Sequence, residues 1–324
     1  MSLRPKTRRR LMIVISVGLM LMLLLGGFII VRRGNVKAET AALRADGIAA
    51  YEKEDWQATL ESLGKYIGRE RGDAEIHYRF ADARRPLPLK QGGHLAEAIR
   101  HLQAALNAQP DYIEAQELQL KLLSAARLHN ETLELTDTIL ARDPAHVDAM
   151  RARALALAGL RRFEDARAQI TELLDIRPKD FGGRVLELQI MRAMETDPEE
   201  IVAYAESLGE KYAGDSAFEV LQAQAYLLVG RRDDAIPHIK AAAAGQPTDE
   251  RVAGVLIGLC DSVGQCDTGT AVLEGVAEAS GKPEHRTSLA QRLYETHRVE
   301  EAVENLPPAP LDQQTTDVLA LRAM

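Results

Sequence analysis

At 324 residues the chain is long enough for two globular domains, yet it pairs 46% hydrophobic residues with only 4% aromatic ones. Its formal charge of −8 is unevenly spread: residues 1–37 hold eight of the 40 Lys and Arg and none of the 48 acids, so the rest of the chain carries 32 basic against 48 acidic side chains, or −16. A body this acidic repels phosphates and anionic headgroups, which argues against nucleic acid as a ligand.

The first element is an apolar run of 21 residues, 11–31, whose one polar side chain is Ser16. At 1.5 Å per residue, about 20 residues cross a hydrocarbon core ~30 Å thick. Arg8, Arg9 and Arg10 bracket the run on one side, and Arg32 and Arg33 on the other. A cleaved secretory signal is the rival reading, with Val36-Lys37-Ala38 as a weak cleavage site. Its apolar core would be only about 7–15 residues long. The run reads instead as an uncleaved transmembrane signal anchor, between a basic tail (1–10) and a juxtamembrane linker (32–39). Basic residues tend to stay in the cytoplasm, and Arg4, Lys6, Arg8, Arg9 and Arg10 precede the run whereas Arg32, Arg33 and Lys37 follow it. The expected topology therefore has the N-terminus in the cytoplasm and the bulk of the chain on the outer, periplasmic side of the inner membrane.

Helical periodicity takes over from residue 40. Pro110, Pro144 and Pro178 stand 34 and 34 apart, and Pro247 follows 69 later, two periods plus one residue. Each closes an apolar helical stretch, where a residue without an N–H stops a helix cleanly. A period of about 34 built from two helices marks a solenoid. One period reads as a helix over 146–159, a turn at Gly159-Leu160-Arg161-Arg162 and a second helix over 163–175, with Phe163, Ile170 and Leu173 at helical spacing.

Small residues 12 apart mark where paired helices approach closely: Ala154/Ala166, Ala223/Ala235, Ala290/Ala302 and, more loosely, Gly47/Thr59. The Ala81/Ala98 spacing grows to 17 through an insertion over 84–93 that carries Arg84, Arg85, Pro86, Pro88 and Lys90. One member of the pair is small at Leu120/Thr132 and Ile257/Gly269, and none at Leu188/Glu200. Pro237 is expected in the opening turn after Arg232, where its missing N–H has no intrahelical partner. Residues 307–324, with Val318, Leu319, Leu321 and Met324 apolar, read as the start of a further repeat or as a capping helix. The chain either ends on that cap or continues as a longer protein.

The segments Gly47…Trp56-Gln57-Ala58-Thr59-Leu60, Leu95-Ala96-Glu97-Ala98-Ile99…Pro110, Phe163-Glu164-Asp165-Ala166…Pro178 and Gly230-Arg231-Arg232-Asp233-Asp234-Ala235-Ile236…Pro247 resemble tetratricopeptide repeats. The resemblance spans residues 40–306, in about eight units. It implies an all-α right-handed superhelix of helix–turn–helix units, each stabilised by stacking on its neighbours. It also implies a concave face that holds extended peptides. By register that face would be lined first by Arg44, Ile48, Tyr51, Tyr78, Asp82, Glu117 and Lys121. Arg151, Leu155, Val185, Gln189, Arg192, Val220, Gln224 and Tyr294 would continue it. Some members of the family grip a C-terminal carboxylate with a Lys/Asn pair. Arg44 and Ile48 stand in those places here, and no groove position carries Asn, so that mode is not expected.

Chemistry-bearing patterns are sparse. The eight histidines are scattered, with no His-Glu-x-x-His helix and no Cys at ligand spacing, so no metal site is expected. His94 and His101, seven apart, read as solvated surface residues. Gly92-Gly93 lacks the Gly-Lys-Ser/Thr of a phosphate loop, and no strand is available to carry a nucleophile elbow. Glu199/Glu200 and Glu300/Glu301 fall at helix starts, where they complement the dipole. Asn130-Glu131-Thr132 matches a glycosylation sequon, a short pattern frequent by chance. Cys260 and Cys266 flank one helix–helix turn. Two readings stay open for them: a disulfide if the domain lies outside the cytosol, or two small residues in the hairpin core.

The sequence therefore leads to a non-enzymatic, membrane-anchored scaffold or assembly protein of a bacterial envelope. It would bind proteins or peptides and need no cofactor or small-molecule substrate. The alternatives are the regulatory part of a larger envelope enzyme, such as a transferase with its catalytic domain beyond residue 324, and a scaffold facing the cytoplasm.

Overall fold

The structure, a computed structural model, describes residues 32–89 and 93–306; the apolar run at 11–31 and the terminal segment at 307–324 lie outside the described residues. Among the described residues every regular element is an α-helix, and none is long and apolar enough to cross a membrane. The chain divides into two compact units, Met1–Ile139 and Leu140–Met324.

The first unit contains α1 (32–51), α2 (Trp56–Ile67), α3 (Ala74–Arg84), α4 (Gly93–Ala108), α5 (Ile113–Ala125) and α6 (His129–Leu140), the last ending at the boundary. The second begins with α7 (Val147–Gly159), α8 (Phe163–Ile176), α9 (Phe181–Ala193), α10 (Pro198–Lys211) and α11 (Ser216–Leu228). It continues through α12 (Arg232–Ala244), α13 (Glu250–Ser262), α14 (Cys266–Ser280), α15 (Pro283–Glu295) and α16 (Val299–Glu304). Odd- and even-numbered helices form successive hairpins, with α3 packed on α4, α7 on α8, α11 on α12 and α13 on α14.

The small pairs do what their spacing implies. Ala81, Ala98, Ala154, Ala166, Ala223, Ala235 and Thr59 are completely buried, and larger side chains such as Leu102, Ile170, Leu173 and Ile239 fill the space around them. Burying a side chain of that size contributes ~1.5–3 kcal/mol, so stacked Leu, Ile and Ala can replace an aromatic core. A methyl group at Gly47 would stand 2.2 Å from Leu63 Cδ2, which is why the looser pair begins with glycine. Where both small residues are missing, Leu188 and Ile201 enter the core and Glu200 is exposed. There α9 meets α10 less extensively than α7 meets α8.

Seven of the eight hairpins turn in the same way, the exception being α3–α4 with its insertion, where the described residues show no such turn. A residue two or three places past the first helix takes a left-handed conformation at Glu54, Arg127, Arg161, Glu195, Gly230, Gly264 and His297. The next N–H then bonds back five residues, as in Arg162 to the Leu157 carbonyl at 2.9 Å and Thr196 to Met191 at 3.1 Å. This is the Schellman ending that usually recruits glycine. The inter-hairpin prolines have a second role that their spacing alone does not reveal. Two residues after Pro144, Pro178 and Pro247 stand His146, Asp180 and Asp249, each of which caps the following helix with its side chain.

One expectation is corrected. Pro237 lies inside α12, beyond the first turn, so the helix forgoes an interior hydrogen bond there.

Candidate partner-binding face

In the first unit, most of the residues assigned to a groove hold neighbouring helices together. Arg44 of α1 bonds Asp73 at 2.9 Å and Glu75 at 2.5 Å. Asp73 in turn caps α3 through the Ile76 N–H. Partial burial raises the Asp73 carboxyl, but bonds from Arg44, Tyr66 and Ile76 outweigh it and hold the group below the usual carboxylate range. Tyr51 donates to Asp82 at 2.6 Å beneath the Arg79 guanidinium, 5.2 Å from the ring centre. Burial, then that bond, pushes the phenol upward. Tyr78 lies against Tyr112 with ring centres 5.3 Å apart. Ile48 packs on the core of Leu63, Tyr66, Ile76 and Phe80. Glu117 and Lys121, four apart on α5, are exposed.

The second unit repeats the device and then departs from it. Arg151 of α7 reaches Asp180 through two bonds, at 3.1 and 2.6 Å, and Asp148 at 2.6 Å. Asp180 also accepts from Gly183 N at 2.7 Å. The Arg151–Asp180 pair is 29 residues apart, the same separation as Arg44–Asp73. Gly182 makes room for the guanidinium, since a Cβ there would stand 2.9 Å from Arg151 Nε. The charges of Arg44 and Arg151 are thus neutralised within the chain.

Val220 is fully buried and belongs to the core rather than a groove, because flanking helices close over it. Val185 and Tyr294 are half-buried against core clusters.

Besides exposed Glu117 and Lys121 in the first unit, four assigned residues of the second are exposed or unsatisfied. Leu155 is 42% exposed, and Gln189 and Arg192 are exposed on α9. Half-buried Gln224 on α11 has an Oε1 with no hydrogen-bond partner. With helix caps aligned, Leu155, Gln189 and Gln224 occupy one register on α7, α9 and α11, and Gly258 takes it on α13. A Cβ at Gly254 or Gly258 would meet open space. The odd helices of this unit therefore present an apolar side chain, amides, one cation and bare backbone, a mixture suited to contact with a polypeptide.

Cys260 and Cys266 are free thiols, the first buried and the second exposed. Burial, then the neighbouring Asp261, pushes Cys260 up to about 11, so it is a poor nucleophile at neutral pH. Gly269, the small member of that hairpin, is dictated by its neighbours: a Cβ would lie 3.2 Å from Cys260 Cβ and 2.5 Å from the Arg292 guanidinium, which bridges to Asp261.

His101 corrects the expectation of a solvated residue. It is half-buried, with Nδ1 2.9 Å from His77 Nδ1. His77 Nε2 faces the Arg71 carbonyl at 3.0 Å. A carbonyl only accepts, so His77 donates there and its Nδ1 must accept from His101. Burial, then His77, pushes His101 down to about 4. The spacing of His94 and His101 along one helix drew attention to the wrong partner; the tertiary one lies 24 residues away. Among the described residues no cluster of three or more His, Cys, Asp or Glu is placed to hold a metal.

No family model matches the chain, and no curated protein sequence matches it. Solved structures are similar in fold. A tetratricopeptide repeat protein from Parabacteroides merdae aligns with a TM-score of 0.53 at 16% identity, covering 79% of this chain and 98% of that one. MamA from Desulfovibrio magneticus aligns at 0.40 and 13% identity over 65% and 97% of the two chains. YrrB, a TPR protein with an unusual peptide-binding site, aligns at 0.38 and 16% identity over 60% and 96%. At such identities likeness speaks to fold alone, and only the first superposition is close enough to carry that weight. Together with the hairpin register, it makes the described chain an all-α, tetratricopeptide-like helix-pair repeat.

Proposed function

We propose that this protein is a non-enzymatic scaffold that binds protein or peptide partners through the exposed face of the odd helices in its second unit. The observation that carries this reading is the set Leu155, Gln189, Arg192 and Gln224, which the packing of the repeats leaves exposed or unsatisfied while it consumes Arg44, Tyr51 and Arg151. The 21-residue apolar run at 11–31 anchors this scaffold in the inner membrane, with the repeats on the periplasmic side.

Replacing Leu155 by Asp together with Arg192 by Glu tests the face. Partner recovery from crosslinked membranes should fall by about tenfold while the helical circular dichroism stays intact. Undiminished recovery with a folded variant would remove the assignment. Protease added to spheroplasts should degrade the repeats, and full protection would reverse the topology.

A further inference from the structure

A second surface lies on the inter-hairpin edge of the second unit, where its odd helices begin. Two adjoining clefts of ≈ 890 and ≈ 950 Å³ open there and share Lys179, Asp180, Tyr212 and Arg251. Lys211 enters the first cleft and Arg177 the second. Tyr212 stacks on the buried Phe218 with ring centres 4.2 Å apart. Two ammonium groups approach its ring, Lys179 at 5.0 Å and Lys211 at 5.3 Å. Cations, a phenol and open volume meet here, in a body whose charge past residue 37 is −16.

The acids in these clefts are already engaged. Asp180 caps α9 and holds Arg151, which also binds Asp148 in the lining of the second cleft. Asp215 and Asp249 cap α11 and α13 through backbone N–H groups. Of the cations, Lys179 pairs with Asp215 at 3.2 Å and Arg251 lies 3.7 Å from Asp249. Arg177 and Lys211 are exposed and form no ion pair among the described residues.

We propose that these clefts seat an extended, acidic segment of a partner protein. The dimensions favour a segment over a single ion. Helices pack ~8–10 Å apart, so the starts of α9, α11 and α13 span ~20 Å, the length of about six extended residues at ~3.3 Å each. The net charge favours a protein over the larger polyanions, because the acidic body repels a nucleic acid or an anionic membrane once contact spreads beyond the clefts. Carboxylates on the segment meet Arg177, Lys211 and Arg251, and an apolar or aromatic side chain among them lies on Tyr212.

The test uses the full chain in detergent micelles and a fluorescein-labelled hexaglutamate peptide, read by fluorescence anisotropy. Saturable binding is expected that weakens at least fivefold between about 50 and 300 mM salt, as screening requires. Lys211→Glu combined with Arg251→Glu should lower affinity by about tenfold or more. Lys211→Ala alone, a change at an exposed side chain, should lower it severalfold and serves if the double variant misfolds. The Leu155→Asp/Arg192→Glu variant should bind the peptide like the wild type, which separates this surface from the proposed partner face. The proposal is overturned by equal binding of hexalysine or by unchanged affinity in both cation variants. Competition by inorganic phosphate at the peptide's own concentration would reduce the clefts to an ion site and also overturn it. So would tighter binding to phosphatidylglycerol vesicles than to the peptide.

Discussion

Breaking the Arg151–Asp180 bridge should loosen the second unit at one hairpin junction without touching the helices' own caps. The informative pair is Arg151→Met, which keeps the apolar stem, and Asp180→Asn, which keeps a capping side chain for Gly183 N. Two charged hydrogen bonds at 3.1 and 2.6 Å join these side chains, which are only 21% and 10% exposed, so solvent screens them little. A charge-assisted bond contributes ~1.5–3 kcal/mol, and desolvation offsets part of two such bonds, leaving a coupling of about 2 kcal/mol. Repeat arrays open locally, so the suitable assay is hydrogen exchange at the first turn of α9, with the double-mutant cycle computed from protection factors. Each single variant should lose about thirtyfold protection there, and the double variant little more than either. A coupling below about 0.5 kcal/mol, with the singles additive, would refute the claim that Arg151 is consumed by the fold and would return it to the list of partner-binding residues.

Two further outcomes follow from the first unit and from the turns. An unfolded histidine takes up a proton near pH 6.5, whereas His101 stays neutral in the fold down to about 4. Between those values the unfolded state binds more protons, so this contribution is complete above the unfolded pKa and is lost as the pH falls through that window. The shift corresponds to ~3 kcal/mol, which partial exposure of the ring discounts to ~2. Urea midpoints of His101→Phe and wild type at pH 7 and 4.5 check it, and equal pH dependence would refute it. Glu195 is exposed and left-handed at φ 59°, so Glu195→Gly relieves ~1 kcal/mol of backbone cost. A raised melting temperature is expected, and a lowered one would show that the side chain has a role the fold does not reveal.

Period and close packing were legible in the sequence, because both are local. A proline every 34 residues and a small pair 12 apart need only the spacing along one hairpin. The expected helices over 146–159 and 163–175 differ from α7 and α8 by a residue at one end each. The left-handed turn position was hidden because Glu, Arg and His occupy it in five of the seven hairpins that show it, with glycine only at 230 and 264. The site was less legible. Register can nominate Arg44, Tyr51 and Arg151 as groove residues, but whether a charge is free depends on partners 29 to 31 residues away. The burial of Val220 and the pairing of His101 with His77 depend likewise on tertiary packing that periodicity does not encode. The cationic clefts escaped notice for the same reason, since Lys179, Lys211 and Arg251 come from three separate junctions between hairpins.

The most direct test of the scaffold assignment is site-specific photocrosslinking in intact cells. A photoreactive phenylalanine analogue at Gln189, on the proposed face, is compared with one at Arg167, also exposed but on an even helix. The account predicts discrete crosslinked partners from position 189 and none of those from 167. Identical patterns from both positions, or products from 167 alone, would contradict it.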